Sequence, residues 1–185
     1  TRELSVNRKV PYDALYMAFH CCSRLDPEFY ALDLLTDIMS RGKSSRLYNA
    51  LVKQRKLFSE VHAYGTGDFD KGLVVVEGKL VKGVKMEDAE AAVWEELNRL
   101  TAQPVEATEL EKVKNKVEST LEFSEMDLSG RALNLAIAEY MGDPELINTE
   151  LGLYQAVSAA QVQQQAQQVF NKKNVSVLRY FSERN

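Results

Sequence analysis

Two runs of strand-forming residues, 58–65 and 72–81, flank the connector Thr66-Gly67-Asp68-Phe69-Asp70-Lys71. The connector is rich in turn formers, so the runs pair antiparallel as a hairpin with a longer loop. Upstream, residues 15–22 (LYMAFHCC) are apolar on both alternating faces, the pattern of a strand buried inside a sheet. Asp26-Pro27 then opens a helix striped with Leu32, Leu35, Ile38 and Met39, which Arg41-Gly42-Lys43 ends. A second helix runs from Ser44-Ser45 to about Lys56, with Leu47 and Leu51 facing inward and Tyr48 open to either an inward or an outward place.

The remainder reads as largely helical. Residues 86–100 carry Ala89, Val93, Leu97 and Leu100 at helical spacing, and Pro104 breaks the chain. Thr108 with Glu111 forms a capping box ahead of the stripe Leu110, Val113, Val117, Leu121, Ser124. Helix resumes through Leu133, Ile137 and Met141 as far as Gly142-Asp143-Pro144, and a shorter helix covers 146–156. Ser158 with Gln161 is a second capping box, before Val162, Ala166 and Val169, and residues 175–181 close the chain as a strand. The order is β-α-α-β-β-α-α-α-α-β. Strands and helices do not alternate one for one, which favours an α+β architecture with helices on one face of an antiparallel-rich sheet. The length of 185 residues suits one domain, 1–185. The chain starts at Thr1 and stops on Glu183-Arg184-Asn185, so the expectation is a fragment of a longer polypeptide.

The chemistry is limited by inventory. A net charge of −4 argues against a nucleic-acid face, and no run of ~18 apolar residues could span a membrane. Zinc hydrolysis needs about three protein ligands and an activating carboxylate. Only two histidines exist, His20 and His62, each read as a sheet residue, and neither H-E-x-x-H nor H-x-x-E-H occurs. Cys21 and Cys22 read as buried thiols with no activating neighbour. Gly42-Lys43-Ser44 resembles the end of a phosphate loop, but a helix precedes it and Asp37 stands where the first glycine belongs. The loop Asp68-Phe69-Asp70 lacks the further ligands of a calcium site. Glu87, Asp88, Glu90, Glu95 and Glu96 read as a solvated helix flank.

The stretch Ser44-Ser45-Arg46-Leu47-Tyr48-Asn49-Ala50-Leu51, then Leu57-Phe58-Ser59-Glu60-Val61 and the hairpin, resembles the C-terminal, non-catalytic domain of insulinase/pitrilysin-type zinc peptidases, among them the mitochondrial processing peptidases. Val105-Glu106-Ala107-Thr108-Glu109-Leu110 with Lys114, and Ser158 to Val169 followed by Asn171-Lys172-Lys173-Asn174 and the last strand, agree in order with the same family. The resemblance covers nearly the whole chain. It implies a processing-peptidase-like fold with ferredoxin-like elements. It implies a zinc-free partner domain that closes over a zinc-bearing catalytic domain, on the same or another chain, and forms half of a peptide-binding chamber. Zinc is then expected in the parent's catalytic domain and not here. The alternative is a structural module of the same fold, like the respiratory-complex core subunits, with no peptidase activity in the parent.

The resemblance also marks a departure. Many members place an arginine at the position of Val52 and a tyrosine at that of Ser59, both reaching substrate. Tyr48, four residues before Val52, and Arg55, three after it, are the polar groups that helical spacing would bring beside the vacant position. Tyr48, Val52, Arg55 and Ser59 are thus the expected substrate-facing residues. Strand alternation puts Ser59, Val61 and Ala63 on one face and Tyr64 on the other. A domain of this kind is also expected to expose apolar area and to self-associate as a homo-oligomer.

Overall fold

Leu15, Met17 and Phe19 are buried along the second strand, β2 (Ala14–His20), while Tyr16 and Ala18 between them are half-buried and His20 is exposed. Residues 15–22 therefore do not form a strand buried on both faces. The computed structural model, which describes residues 2–124 and 126–183, shows why: helices cover only one side of the sheet. Thr1, Arg184 and Asn185, on which the expectation of a longer parent rests, lie outside the described residues, as does Glu125.

The sheet has five strands in the order β1-β5-β2-β4-β3. Besides β2, these are β1 (Arg2–Arg8), β3 (Phe58–Gly65), β4 (Leu73–Leu80) and β5 (Val175–Ser182). β3 and β4 form the expected antiparallel hairpin. β2 lies antiparallel to both β4 and β5, and β1 pairs parallel with β5. The strand β1 was not foreseen. Its sequence RELSVNR has no apolar alternation strong enough to signal a strand, and the parallel backbone ladder along β5 holds it in place.

The helical layer is α1 (Phe29–Ser40), a seven-residue π-helix (Tyr48–Gln54), α2 (Met86–Ala102), α3 (Ala107–Ser124), α4 (Leu128–Tyr140), α5 (Leu146–Ala156) and α6 (Ala159–Val169). Five α-helices follow the hairpin where the sequence had counted four. The break falls before Leu128, where the Asp127 carboxylate caps the new helix by accepting from the Gly130 N–H. Leu32, Leu34, Leu35, Ile38 and Met39 of α1 pack onto the sheet with Val162, Ala166 and Val169 of α6. Phe19 sits edge-on to Trp94 of α2 and to Phe170, with ring centroids 5.8 and 5.3 Å apart.

Several local readings shift. Pro27 lies in a turn, and α1 begins at Phe29 behind Glu28. The Ser158–Gln161 capping box is present in full, but Thr108 lies inside the first turn of α3, so the Thr108–Glu111 box is not made. Cys21 and Cys22 stand beyond the end of β2 and are half-buried rather than buried. The acidic flank of α2 is not simply solvated. Glu96 is 4% exposed and receives Arg99 at 2.8 Å, and Glu90 receives Arg179 of β5 at 2.6 Å.

Candidate functional site

The strand registers place the side chains of the helix-free face in rows across the sheet. One row runs Leu4, Leu178, Tyr16, Glu77, His62, and a second runs Ser176, Ala18, Val75, Tyr64. A third holds Tyr180, Ala14, Lys79 and Glu60, in which Lys79 pairs with Glu60 at 2.5 Å and lies 5.2 Å from the Tyr12 ring. This ion pair holds the Glu60 carboxyl below its ordinary value, through the hydrogen bond from Lys79. The face joins aromatic and aliphatic surface to a few charges, and no described helix covers it. Sequence reasoning missed Tyr16, Glu77, His62 and Tyr64 as one surface. The available signal was the alternation Glu60-x-His62-x-Tyr64, polar on one side of β3 with Val61 and Ala63 on the other.

At one margin of this face lies β3, an edge strand, preceded by the π-helix. Leu47 and Leu51, both fully buried, anchor that helix to the core. The wide turn is seen in the Arg55 N–H, which donates to the Ala50 carbonyl five residues back. Lys56 then takes a left-handed conformation (φ 52°), and the Leu57 N–H reaches the Leu51 carbonyl, a Schellman-type ending.

Of the four residues expected to face substrate, Tyr48 and Val52 lie in the π-helix, Arg55 at its C-terminal end and Ser59 on β3. Val52 is half-buried and packs against the core. Tyr48 is half-buried, and its hydroxyl has no hydrogen-bond partner among the described residues. Arg55 is exposed but engaged: it donates to Glu95 of α2 at 2.6 Å, and Glu95 also receives Arg99. The hydrogen bond from Arg55 holds the Glu95 carboxyl below its ordinary value. Ser59 does not share a face with Val61 and Ala63. A β-bulge between Phe58 and Glu60 gives the strand an extra residue, so Ser59 is exposed and donates to the Lys79 carbonyl at 3.1 Å.

Beneath the π-helix, Arg46 holds the first turn of α3 through both oxygens of Glu109, and Lys112 donates to the Ser44 hydroxyl. The Glu109 hydrogen bonds raise the affinity of Arg46 for its proton.

The donor set does not fit a resident zinc. His20 and His62 lie on β2 and β3 with β4 between them, opposite Leu73 and Glu77 respectively. Among the described residues no cluster of three or more His, Cys, Asp or Glu could hold a metal ion. The two thiols are not primed nucleophiles. Burial, with the neighbouring Cys22 thiol, pushes Cys21 up to about 11, and burial raises Cys22 as well.

Against known proteins, residues 2–117 match the family model described as the peptidase M16 inactive domain. The chain is 23% identical over 179 residues to an uncharacterized zinc protease of Rickettsia bellii (strain RML369-C), covering 94% of this chain and 42% of that protein. It therefore spans less than half the length of that curated relative. Among solved structures, the inactive peptidase domain of a candidate zinc protease from Bordetella parapertussis superposes with a TM-score of 0.83 at 25% identity, over 95% of this chain and 96% of that one. A protease from Helicobacter pylori superposes with a TM-score of 0.90 at 17% identity, over 97% of this chain and 43% of that one, a likeness of fold.

Proposed function

The chain belongs to the peptidase M16 inactive-domain family, the insulinase-type zinc proteases, and from that premise we propose that it serves as the zinc-free half of a metalloendopeptidase. In this reading the domain closes over a zinc-bearing catalytic domain, on the same chain or a partner chain, and forms one wall of an enclosed space for peptides. The domain supplies no metal ligand. Its contribution is shape, apolar surface and positioned hydrogen-bonding groups.

The observation that carries the proposal is the helix-free face of the sheet. A sheet packed on one side normally turns polar side chains to water on the other. Here Leu4, Tyr16, Val75, Leu178 and Tyr180 stand on that side among only a few charges. Such a surface can take apolar side chains of an extended peptide, and the unpaired edge of β3 beside it offers backbone hydrogen-bond partners. Tyr48, Val52, Arg55 and Ser59 form the proposed substrate-facing margin. The free Tyr48 hydroxyl and the exposed Arg55 guanidinium are its polar members.

A second reading is a structural module in a parent without peptidase activity. The absence of an arginine at Val52 and a tyrosine at Ser59 favours it, as does the engagement of Arg55 with Glu95. One experiment separates the two: assay of an unstructured peptide with the parent's zinc-bearing half, alone and with this chain added. The chamber reading expects hydrolysis to rise at least about tenfold on addition, equivalent to about 1.4 kcal/mol of transition-state stabilisation. It is overturned if this chain alone binds one equivalent of zinc, or if its addition leaves the rate unchanged.

A further inference from the structure

The helix α4 buries one residue of its thirteen, Ala138. Leu128, Leu133 and Leu135 are 85%, 61% and 47% exposed, and Phe123 and Met126 just before them are 68% and 77% exposed. Leu128 and Leu135, two turns apart, share one side of the helix while Leu133 turns to another, and exposed apolar surface of this kind marks an interaction site on an ordinary protein. The helix is also firmly held in this position. A Cβ on Gly130 would come within 2.1 Å of the Ser124 carbonyl, so α4 starts in close contact with the end of α3. The Asn134 amide donates to the Ser124 hydroxyl at 3.0 Å, and Tyr140 stacks edge-on against Phe69 at 4.8 Å.

The charges on this helix show which partner fits. Arg131 lies four residues before Leu135, and Glu139 lies four after it. Residues four apart share a helix face, so Arg131, Leu135 and Glu139 form one row, beside Leu128 and the small Ala132. Among the described residues neither the Arg131 nor the Glu139 side chain has an ion-pair or hydrogen-bond partner. A two-fold axis through Leu135 reverses the helix direction. It sets each position before 135 opposite the equally distant position after it, so Arg131 of one copy meets Glu139 of the other, twice.

We infer that α4 is a self-docking surface on which a second copy of this chain packs antiparallel, centred on Leu135, with reciprocal Arg131–Glu139 pairs. Leu135 meets its own copy at the axis, Leu128, whose opposite number is Gly142, packs over the end of the partner helix, and the small Ala132 lets the two backbones approach closely. A single helix pair lies at the low end of specific interfaces, so the dimer is weak, with Kd of about 10⁻⁵–10⁻⁴ M. This contact is independent of the chamber reading, and it holds in either kind of parent.

Charge exchange tests it. Sedimentation of the wild-type chain from low to high micromolar concentration should show monomer passing to dimer. Arg131→Glu alone and Glu139→Arg alone should each weaken dimerisation at least about tenfold, because each places two like-charged pairs across the axis. Mixing these two single variants should give a heterodimer, since every facing pair is then of opposite sign. The double variant R131E/E139R should dimerise like wild type. Neither exchange should unravel the helix, because each moves charge in the direction that favours the helix dipole, acid toward the N-terminus and base toward the C-terminus. A wild-type chain that stays monomeric near millimolar concentration overturns the proposal, as does a dimer indifferent to both single exchanges. If α4 amides gain exchange protection only when the parent's zinc-bearing half is added, that domain occupies the face and the proposal also fails.

Discussion

Arg46 forks onto both carboxylate oxygens of Glu109, at 2.7 to 3.2 Å, across a separation of 63 residues. Planar, two-bonded pairs of this kind are the stronger form of ion pair, although partial solvent access weakens this one. It joins the residue that leads into the π-helix to the first turn of α3. Arg46→Met should lower stability by about 1 kcal/mol, and Arg46→Lys should recover part of the loss but not the fork. Urea denaturation at neutral pH checks both, and an unchanged midpoint for Arg46→Met would show the pair to be decorative.

Beside that fork, Ser45 is buried, and its hydroxyl has no partner among the described residues. A buried hydroxyl without a hydrogen bond opposes folding by about 1 kcal/mol or more. Ser45→Ala removes the hydroxyl and leaves almost no void. The variant should melt a few degrees higher, by about 0.5–1 kcal/mol, in a thermal scan. A lower melting temperature would mean that the hydroxyl has a partner in solution.

Gly78 of β4 lies against the Phe58 ring. A Cβ there would meet ring carbons at 2.6 and 2.8 Å and the Glu60 carbonyl at 3.2 Å. Phe58 is fully buried and has nowhere to move. Gly78→Ala should therefore destabilise by about 1–3 kcal/mol through overpacking, despite the gain in strand propensity. The companion Gly152→Ala, in α5 with open space around its Cβ, should stabilise by about 0.5–1 kcal/mol. Parallel chemical denaturation of the two variants decides the matter, and Gly78→Ala equal to or more stable than wild type would contradict the packing.

Cys21, raised to about 11, should resist alkylation. At pH 8 about one molecule in a thousand carries the thiolate, which is the reacting form. The rate with iodoacetamide should climb about tenfold per pH unit from 8 to 10 and level off only near 11. Mass spectrometry of the peptide spanning Cys21 and Cys22 follows it. Rapid labelling at pH 7 would mean that the thiol is activated.

If the substrate-facing margin acts as proposed, Tyr48→Phe and Arg55→Ala should each lower kcat/KM of the assembled enzyme by roughly tenfold, about 1.4 kcal/mol. Glu95→Gln is the control for Arg55, since it releases the guanidinium from α2 without removing it. Loss of activity in Arg55→Ala but not in Glu95→Gln assigns the effect to substrate contact. Equal losses in both would reduce Arg55 to a strut between the π-helix and α2.

The sequence alone determined the α+β class, the β3–β4 hairpin and the inward stripes of α1, α2 and α6. Each rests on a period of 2 or 3.6 imposed by local backbone geometry and the burial of one side. The Ser158–Gln161 cap was legible for the same reason, because its partners lie three residues apart and the motif closes on itself. The shortage of metal ligands was a matter of counting. Only the tertiary structure decided the remainder. The strand β1 exists because β5, more than 170 residues away, offers its backbone. The bulge at Ser59 reverses a face assigned by simple alternation, since one inserted residue shifts the phase of a two-residue period. Arg55 meets Glu95 of α2, and no local spacing rule foresees a carboxylate forty positions further along. The open sheet face left only the alternation Glu60-x-His62-x-Tyr64 in the sequence. It is defined by where helices are absent, and that depends on how every other element packs.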